Sequence, residues 1–361
     1  MLLTILHKKT TLSMTYLTRR NALKLTGLSM LSLAAPSLSF GRKDEIIIGH
    51  NDFKYKVNMG WGILDAEKNP VNNCHEMVED ASGRLFMLTD ETKNNVLIYD
   101  KSGKLLDAWG TSYPGAHGLT IGGSGKDQFL LICDNKRHQV IKTDLKGNKI
   151  FVIEYPKETG EYEHPAQFVP TETAIDHKTG EIYVVDGYGL NFVTVYDQNG
   201  KYLRHWGGKG TGNYQYKCNH GVLIDERKGQ TRSLIITSRQ ENCWKRYTMD
   251  GKFMERIEMP GSFVCRPVMR NENLYGAVFR SGLESNEFSG YVQIVDKNNK
   301  VVSTPGGSAP TYENGLLKAQ SKEDPANVFM HPHDVYVDSD ESIYIAQWAS
   351  KKTYPIKLER V

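Results

Sequence analysis

The sequence predicts an all-β fold: a six-bladed β-propeller forming a single domain over residues 40–361, after an N-terminal signal segment. Three observations predict it. A unit of roughly 40–55 residues recurs along the chain, a period that signals arrays and propellers. Each unit holds short runs rich in Val, Ile, Tyr and Phe, which suit a pleated, half-buried surface, separated by turns of Asp, Asn and Gly that tolerate positive φ. No long apolar run at the helical period follows the N-terminal segment.

Residues 1–39 come first. They hold Lys8, Lys9, Arg19, Arg20 and Lys24 and no acid. Thr18-Arg19-Arg20-Asn21-Ala22-Leu23-Lys24 resembles a twin-arginine motif, and the apolar run Leu25 to Ala35 is too short for a membrane span. The segment reads as a twin-arginine-type signal peptide. It implies a periplasmic or secreted protein with no stable membrane insertion after cleavage. An uncleaved amphipathic anchor is the alternative.

The copies follow in order. Copy one has strand-like runs at 84–90 and 96–103, copy two at 129–134 and 140–147, and copy three at 182–186 and 193–200. Copy four has them at 234–238 and 244–251, copy five ends at 296–299, and copy six runs from 343 to 358. Radial packing buries both faces of each small sheet, so six units favour a closed ring. The last copy is one strand short, and Glu45-Ile46-Ile47-Ile48-Gly49 is expected to supply it. Residues 303–328 read as a surface insertion.

The formal net charge is +3, but residues 40–361 carry 40 basic and 42 acidic side chains. No Lys/Arg stripe is present, so nucleic acid is excluded as a partner. The five cysteines are odd in number and form no C-x-x-C, so they make neither a disulfide framework nor a zinc ribbon. Cys133 and Cys243 read as buried small apolar residues. Cys74 and Cys218 read the same way, or as a pair, or as a metal ligand near His75 or His220.

Three histidines share one repeat position: His117 in His-Gly-Leu-Thr-Ile, His220 in His-Gly-Val-Leu-Ile-Asp, and His333 in His-Asp-Val-Tyr-Val-Asp. They fall in copies two, four and six. Alternate members of a six-membered ring lie about 120° apart, so these imidazoles are expected to converge on the channel axis. Three imidazoles with one open side make a catalytic zinc site. Copy three has Thr171 there and copy five has Val264 or Cys265, so the blade itself does not require histidine. His75, in copy one, is a fourth ligand, a substrate contact or a remnant. Asp334 either caps a loop, orients a ligand, or holds a harder cation such as calcium. The loops 186–189 and 238–242 share the histidine face, which promotes Tyr188 and Arg239 from turn residues to a candidate base and a candidate carboxylate fork.

These motifs resemble the peptidyl-α-hydroxyglycine α-amidating lyase branch of the NHL-repeat propellers. The resemblance runs from about Val96 onward. It is strongest in Ala116-His-Gly-Leu-Thr-Ile121, His138-Gln-Val-Ile-Lys142, Val169-Pro-Thr-Glu-Thr-Ala-Ile175, Val185-Asp-Gly-Tyr188, Asn219-His-Gly-Val-Leu-Ile-Asp225, Arg239-Gln-Glu-Asn242 and Pro332-His-Asp-Val335. It implies zinc on His117, His220 and His333, a catalytic Tyr188, a substrate-binding Arg239, and calcium on Asp334 and the Leu119 carbonyl. The implied reaction splits a C-terminal α-hydroxyglycine into a peptide amide and glyoxylate. The family's second arginine falls in the loop 89–95, where Lys93 is the sole cation and cannot fork. Gly189 stands where the family has a cysteine.

Two other readings remain open. One is a non-catalytic exported propeller that binds a peptide, glycan or protein across its top face. The other is a metal-assisted hydrolase or sugar lyase on the same scaffold. In the enzymatic readings the partner is a small-molecule or peptide substrate. The sequence gives no oligomeric state.

Overall fold

The computed structural model describes residues 45–324 and 326–361, and they form a six-bladed β-propeller. The expected signal segment, residues 1–39, lies outside the described residues. Blades one to four are four-stranded antiparallel meanders over residues 74–109, 116–153, 172–207 and 222–258. Blade five covers 262–303, and blade six covers 332–360 together with two strands from the N-terminal side. The first strands of neighbouring blades pack against one another around the axis. Among the described residues no helix is long and apolar enough to cross a membrane.

Stacking explains the sequence pattern. Second strands such as Leu85–Thr89 and Ile343–Gln347 are buried on both faces. They therefore read as continuous apolar runs, not as alternation. Fourth strands such as Leu105–Trp109 are half exposed. The core is divided into six apolar clusters, each between two neighbouring blades.

The recurring Asp turns link the third and fourth strands. In blade three, Asp197 Oδ1 accepts the Asn199 and Lys201 amides at 2.8 and 2.9 Å. Asp100, Asp144 and Asp296 do the same in blades one, two and five. Blade four uses Thr248, whose Oγ1 accepts the Lys252 amide at 3.0 Å. The turn glycines also seat an aromatic ring of the preceding blade. Gly251 has φ +87°, and a Cβ there would come within 3.1 Å of the Trp206 ring.

Ring closure differs from the expectation. The fourth strand of blade six is Phe53–Asn58, paired with Ile356–Arg360. Ile47–His50 is a fifth strand outside it. Burial decides between them: Tyr55 is fully buried between blades five and six, whereas Ile46 and Ile47 are exposed. The insertion at 303–328 carries a hairpin of Tyr312–Glu313 with Leu316–Leu317. Its return path is not purely surface, because buried Asp324 accepts the Phe329 amide at 3.0 Å.

Candidate metal centre

The inner strands begin irregularly, and this builds the site. Register shifts fall between Cys74 and Glu76, Ala116 and Leu119, and Pro332 and Asp334. A bulge breaks strict alternation, so two consecutive residues can both serve the channel. Blade five is interrupted between Ser262–Val264 and Val268–Arg270, where Pro267 has no amide proton to donate. The result is two layers. His75, His117, Thr171, His220, Cys265 and His333 form the upper one. Glu76, Gly118, Glu172, Gly221, Arg266 and Asp334 follow them in sequence. Glycine after His117 and His220 is a steric need: a Cβ would lie 2.6 Å from the Thr171 carbonyl oxygen at Gly118 and 2.3 Å from the Arg266 Cβ at Gly221.

The structure brings His117, His220 and His333 together, with ring centres 4.7 to 4.9 Å apart. His75 joins them at 4.7 Å from His117 and 4.8 Å from His333. The donor atoms converge in two groups, each within 4.8 Å: His75, His117 and His333, and His220, Cys265 and His333, so the expected triad is divided between them at His117 and His220. All four rings are buried. Burial holds each imidazole below its usual value, reinforced by neighbouring positive groups, and takes His75 down to about 3. The rings are therefore neutral, with lone pairs available. The Nδ1 atoms of His75 and His220 are buried without a hydrogen-bond partner. His117 Nδ1 is fixed by the Thr171 carbonyl at 2.8 Å, which leaves Nε2 to face the site. Neutral, converging and partly unpartnered imidazoles fit a divalent ion such as zinc.

Tyr188 stands at the rim, 40% exposed, and its hydroxyl reaches inward. It lies 3.1 Å from His117 Nε2 and 3.0 Å from His220 Nε2. Arg239 Nη2 donates to it at 3.3 Å, and Arg239 Nη1 is buried without a partner. Desolvation pushes the phenol up to about 12, opposed by the Arg239 guanidinium. A cavity of about 430 Å³ opens above this group, lined by Asn73, Asp90, Lys136, Phe279, Arg280 and Trp348 besides the site residues. Lys93 is not among them and donates instead to the Glu67 carbonyl. Sequence reasoning missed Arg280, Lys136 and the aromatic pair, which sit in loops without a repeat signal. It noted Cys265 only as a departure from the histidine pattern.

The expected calcium position does not fit a metal ion. Arg266 forks onto Asp334, with Nε 2.8 Å from Oδ1 and Nη2 3.0 Å from Oδ2. Its Nε is also 2.5 Å from Glu76 and 3.9 Å from Glu172. Glu76 in turn accepts the Leu119 amide, and Asp334 accepts the Met77 amide at 3.2 Å. A guanidinium therefore already neutralises the Asp334 carboxylate, where a second cation was expected. Burial raises the Glu76 and Asp334 carboxyls, opposed by Arg266. Of the cysteines, Cys74 lies in the apolar cluster between blades six and one, and all five thiols are free.

Comparison with known proteins supports the same architecture. A family model described as a six-bladed β-propeller matches residues 171–333. NHL repeat-containing protein 3 of Mus musculus is 31% identical over 230 residues, covering 55% of this chain and 65% of that protein. Peptidyl-glycine alpha-amidating monooxygenase A of Xenopus laevis is 27% identical over 177 residues, covering 46% of this chain but only 18% of that protein. The chain thus spans less than two thirds of these relatives' own lengths. A solved gluconolactonase from Xanthomonas campestris superposes with a TM-score of 0.55 at 12% identity, over 88% of this chain and 95% of that one. At that identity the likeness is one of fold alone. By fold and sequence together, the chain is a six-bladed β-propeller related to the NHL repeat proteins and to the peptidylglycine alpha-amidating monooxygenases.

Proposed function

We propose that the chain is a metal-dependent lyase that cleaves a C-terminal α-hydroxyglycine to a peptide amide and glyoxylate. The observation that carries this reading is the Tyr188 hydroxyl, set between His117 Nε2 and His220 Nε2 with Arg239 behind it. His117, His220 and His333 would hold zinc, with His75 beside them. A zinc ion bound there supplies Lewis acidity toward a substrate hydroxyl. Arg239 Nη1, buried and unpartnered, offers a donor to the substrate carboxylate. Tyr188, once ionised, takes the hydroxyl proton; the C–N bond breaks as the carbonyl of glyoxylate forms, and the departing amide nitrogen collects that proton. Ionising near neutral pH requires Tyr188 to have a positive neighbour besides Arg239. In this reading residues 1–39 export the protein, so the reaction takes place in the periplasm or outside the cell.

The test has two parts. The wild type should carry about one zinc-like ion per chain, and His220→Ala much less, as expected for a three-histidine site. A hydroxyglycyl peptide should then yield glyoxylate. Zinc without glyoxylate would redirect the proposal to another metal-assisted hydrolase or lyase. A second reading, a non-catalytic propeller that binds a peptide, glycan or protein on this face, is favoured by the position of Lys93. Its bond to the Glu67 carbonyl keeps the cation of that loop out of the cavity. Unchanged metal content in His220→Ala would support it.

A further inference from the structure

The upper layer of the channel holds more donors than one three-histidine site uses. Cys265 occupies the blade-five place in that layer, where blades one, two, four and six each present a histidine. Its donor atom lies within 4.8 Å of those of His220 and His333. Three features hold it there. The Thr237 hydroxyl donates to its carbonyl at 2.8 Å, the Trp244 indole donates to the same oxygen at 3.1 Å, and its own amide bonds the Ala277 carbonyl at 2.8 Å. His220 contributes an independent sign of a ligand, since its Nδ1 is fully buried with no partner. Cys133 and Cys243 are equally buried but have no converging imidazoles among the described residues.

We propose that Cys265 is a metal ligand, and that His220, Cys265 and His333 form a second three-donor seat, which overlaps the imidazole seat given to zinc above and has Cys265 in place of His117. The two seats share His220 and His333, so a single ion chooses between them by its chemistry. A soft, thiophilic cation takes the blade four–five side; a borderline cation is served by the imidazoles. On binding at the thiol seat the S–H bond is replaced by a sulfur–metal bond, and the proton leaves to solvent. The proposal rests on the reading that this channel mouth binds a metal, and it requires no particular reaction there.

Cadmium is the probe, added to the full chain after stripping with a chelator. Cadmium binding should produce a thiolate-to-metal charge-transfer band in the ultraviolet, with the amplitude of one thiolate per chain. Cys265→Ser and Cys265→Ala should abolish the band, while nickel, an imidazole-seeking ion, still binds both variants. Cys218→Ser and His75→Ala should retain the band. Bound cadmium with no thiolate band in the wild type would overturn the thiol seat and leave the histidine centre standing. A band that survives Cys265→Ser, or that disappears in Cys218→Ser, would also overturn it. If neither cadmium nor nickel binds, the metal reading itself falls.

Discussion

Arg266 shows how much one side chain can decide. It comes from the break in blade five and meets carboxylates of blades one, three and six, with Asp334 gripped through two nitrogens. Those acids are almost fully buried, so without the guanidinium their charge is uncompensated in a poorly solvated channel. Arg266→Met should lower the unfolding free energy by about 3–5 kcal/mol, the cost of breaking a buried pair from one side. Arg266→Lys should recover only part of it, because an ammonium cannot fork. Urea unfolding checks both, and a neutral Arg266→Met would mean the carboxyls are simply protonated. Tyr188→Phe belongs at the same scale. It should leave metal content unchanged and reduce glyoxylate release by about 10²–10⁴, the usual worth of a positioned proton acceptor. The histidines were legible in the sequence because they repeat. Arg266 was not, since its partners lie up to 190 positions away and nothing local marks it.

The turns carry the next scale. An Asp or Thr side chain replaces missing backbone partners at the third-to-fourth strand corner, and the following glycine makes room for the previous blade's aromatic ring. One short sequence thus shapes a hairpin and docks two blades. Gly251→Ala meets both the positive φ and the Trp206 ring, so it should cost more than about 1 kcal/mol, above the ordinary price of a glycine replaced in a permissive place. Asp197→Ala removes two amide hydrogen bonds on a partly exposed turn and should cost about 1 kcal/mol. Thermal unfolding of the two variants should rank them in that order; the reverse order would mean that the hydrogen bonds, not the ring seat, hold the corner. These turns were legible because their chemistry is local. The closing strand was misplaced by one hairpin arm, because Ile46, Ile47 and Ile48 look more strand-like than Phe53–Asn58. What selects the latter is Tyr55 filling a gap between blades five and six, a contact that only the closed ring creates.

At the scale of the whole molecule, the ring concentrates titratable groups at its axis, and acid should reveal this. Four imidazoles are held below their ordinary value by burial, reinforced by neighbouring positive groups. In the unfolded chain each protonates near pH 6.5. As pH falls through that value the unfolded state gains protons that the folded state refuses, so stability falls with pH. Each such ring removes about 1.4 kcal/mol per pH unit, and for His75 the loss continues down to about pH 3. Glu76 and Asp334 oppose this. Their raised values stabilise the fold on the acid side and withdraw that support as pH rises through them, so the total profile blends both signs. A difference measurement separates them. Between pH 6 and 4, His75→Gln should unfold with a pH slope shallower than the wild type by about 1.4 kcal/mol per unit. Saturating zinc should raise the whole profile without flattening it, because the folded rings are already neutral and the ion binds the folded state alone. Equal slopes for wild type and His75→Gln would show that blade one's ring accepts a proton in the native channel, and the neutral four-imidazole mouth would have to be abandoned.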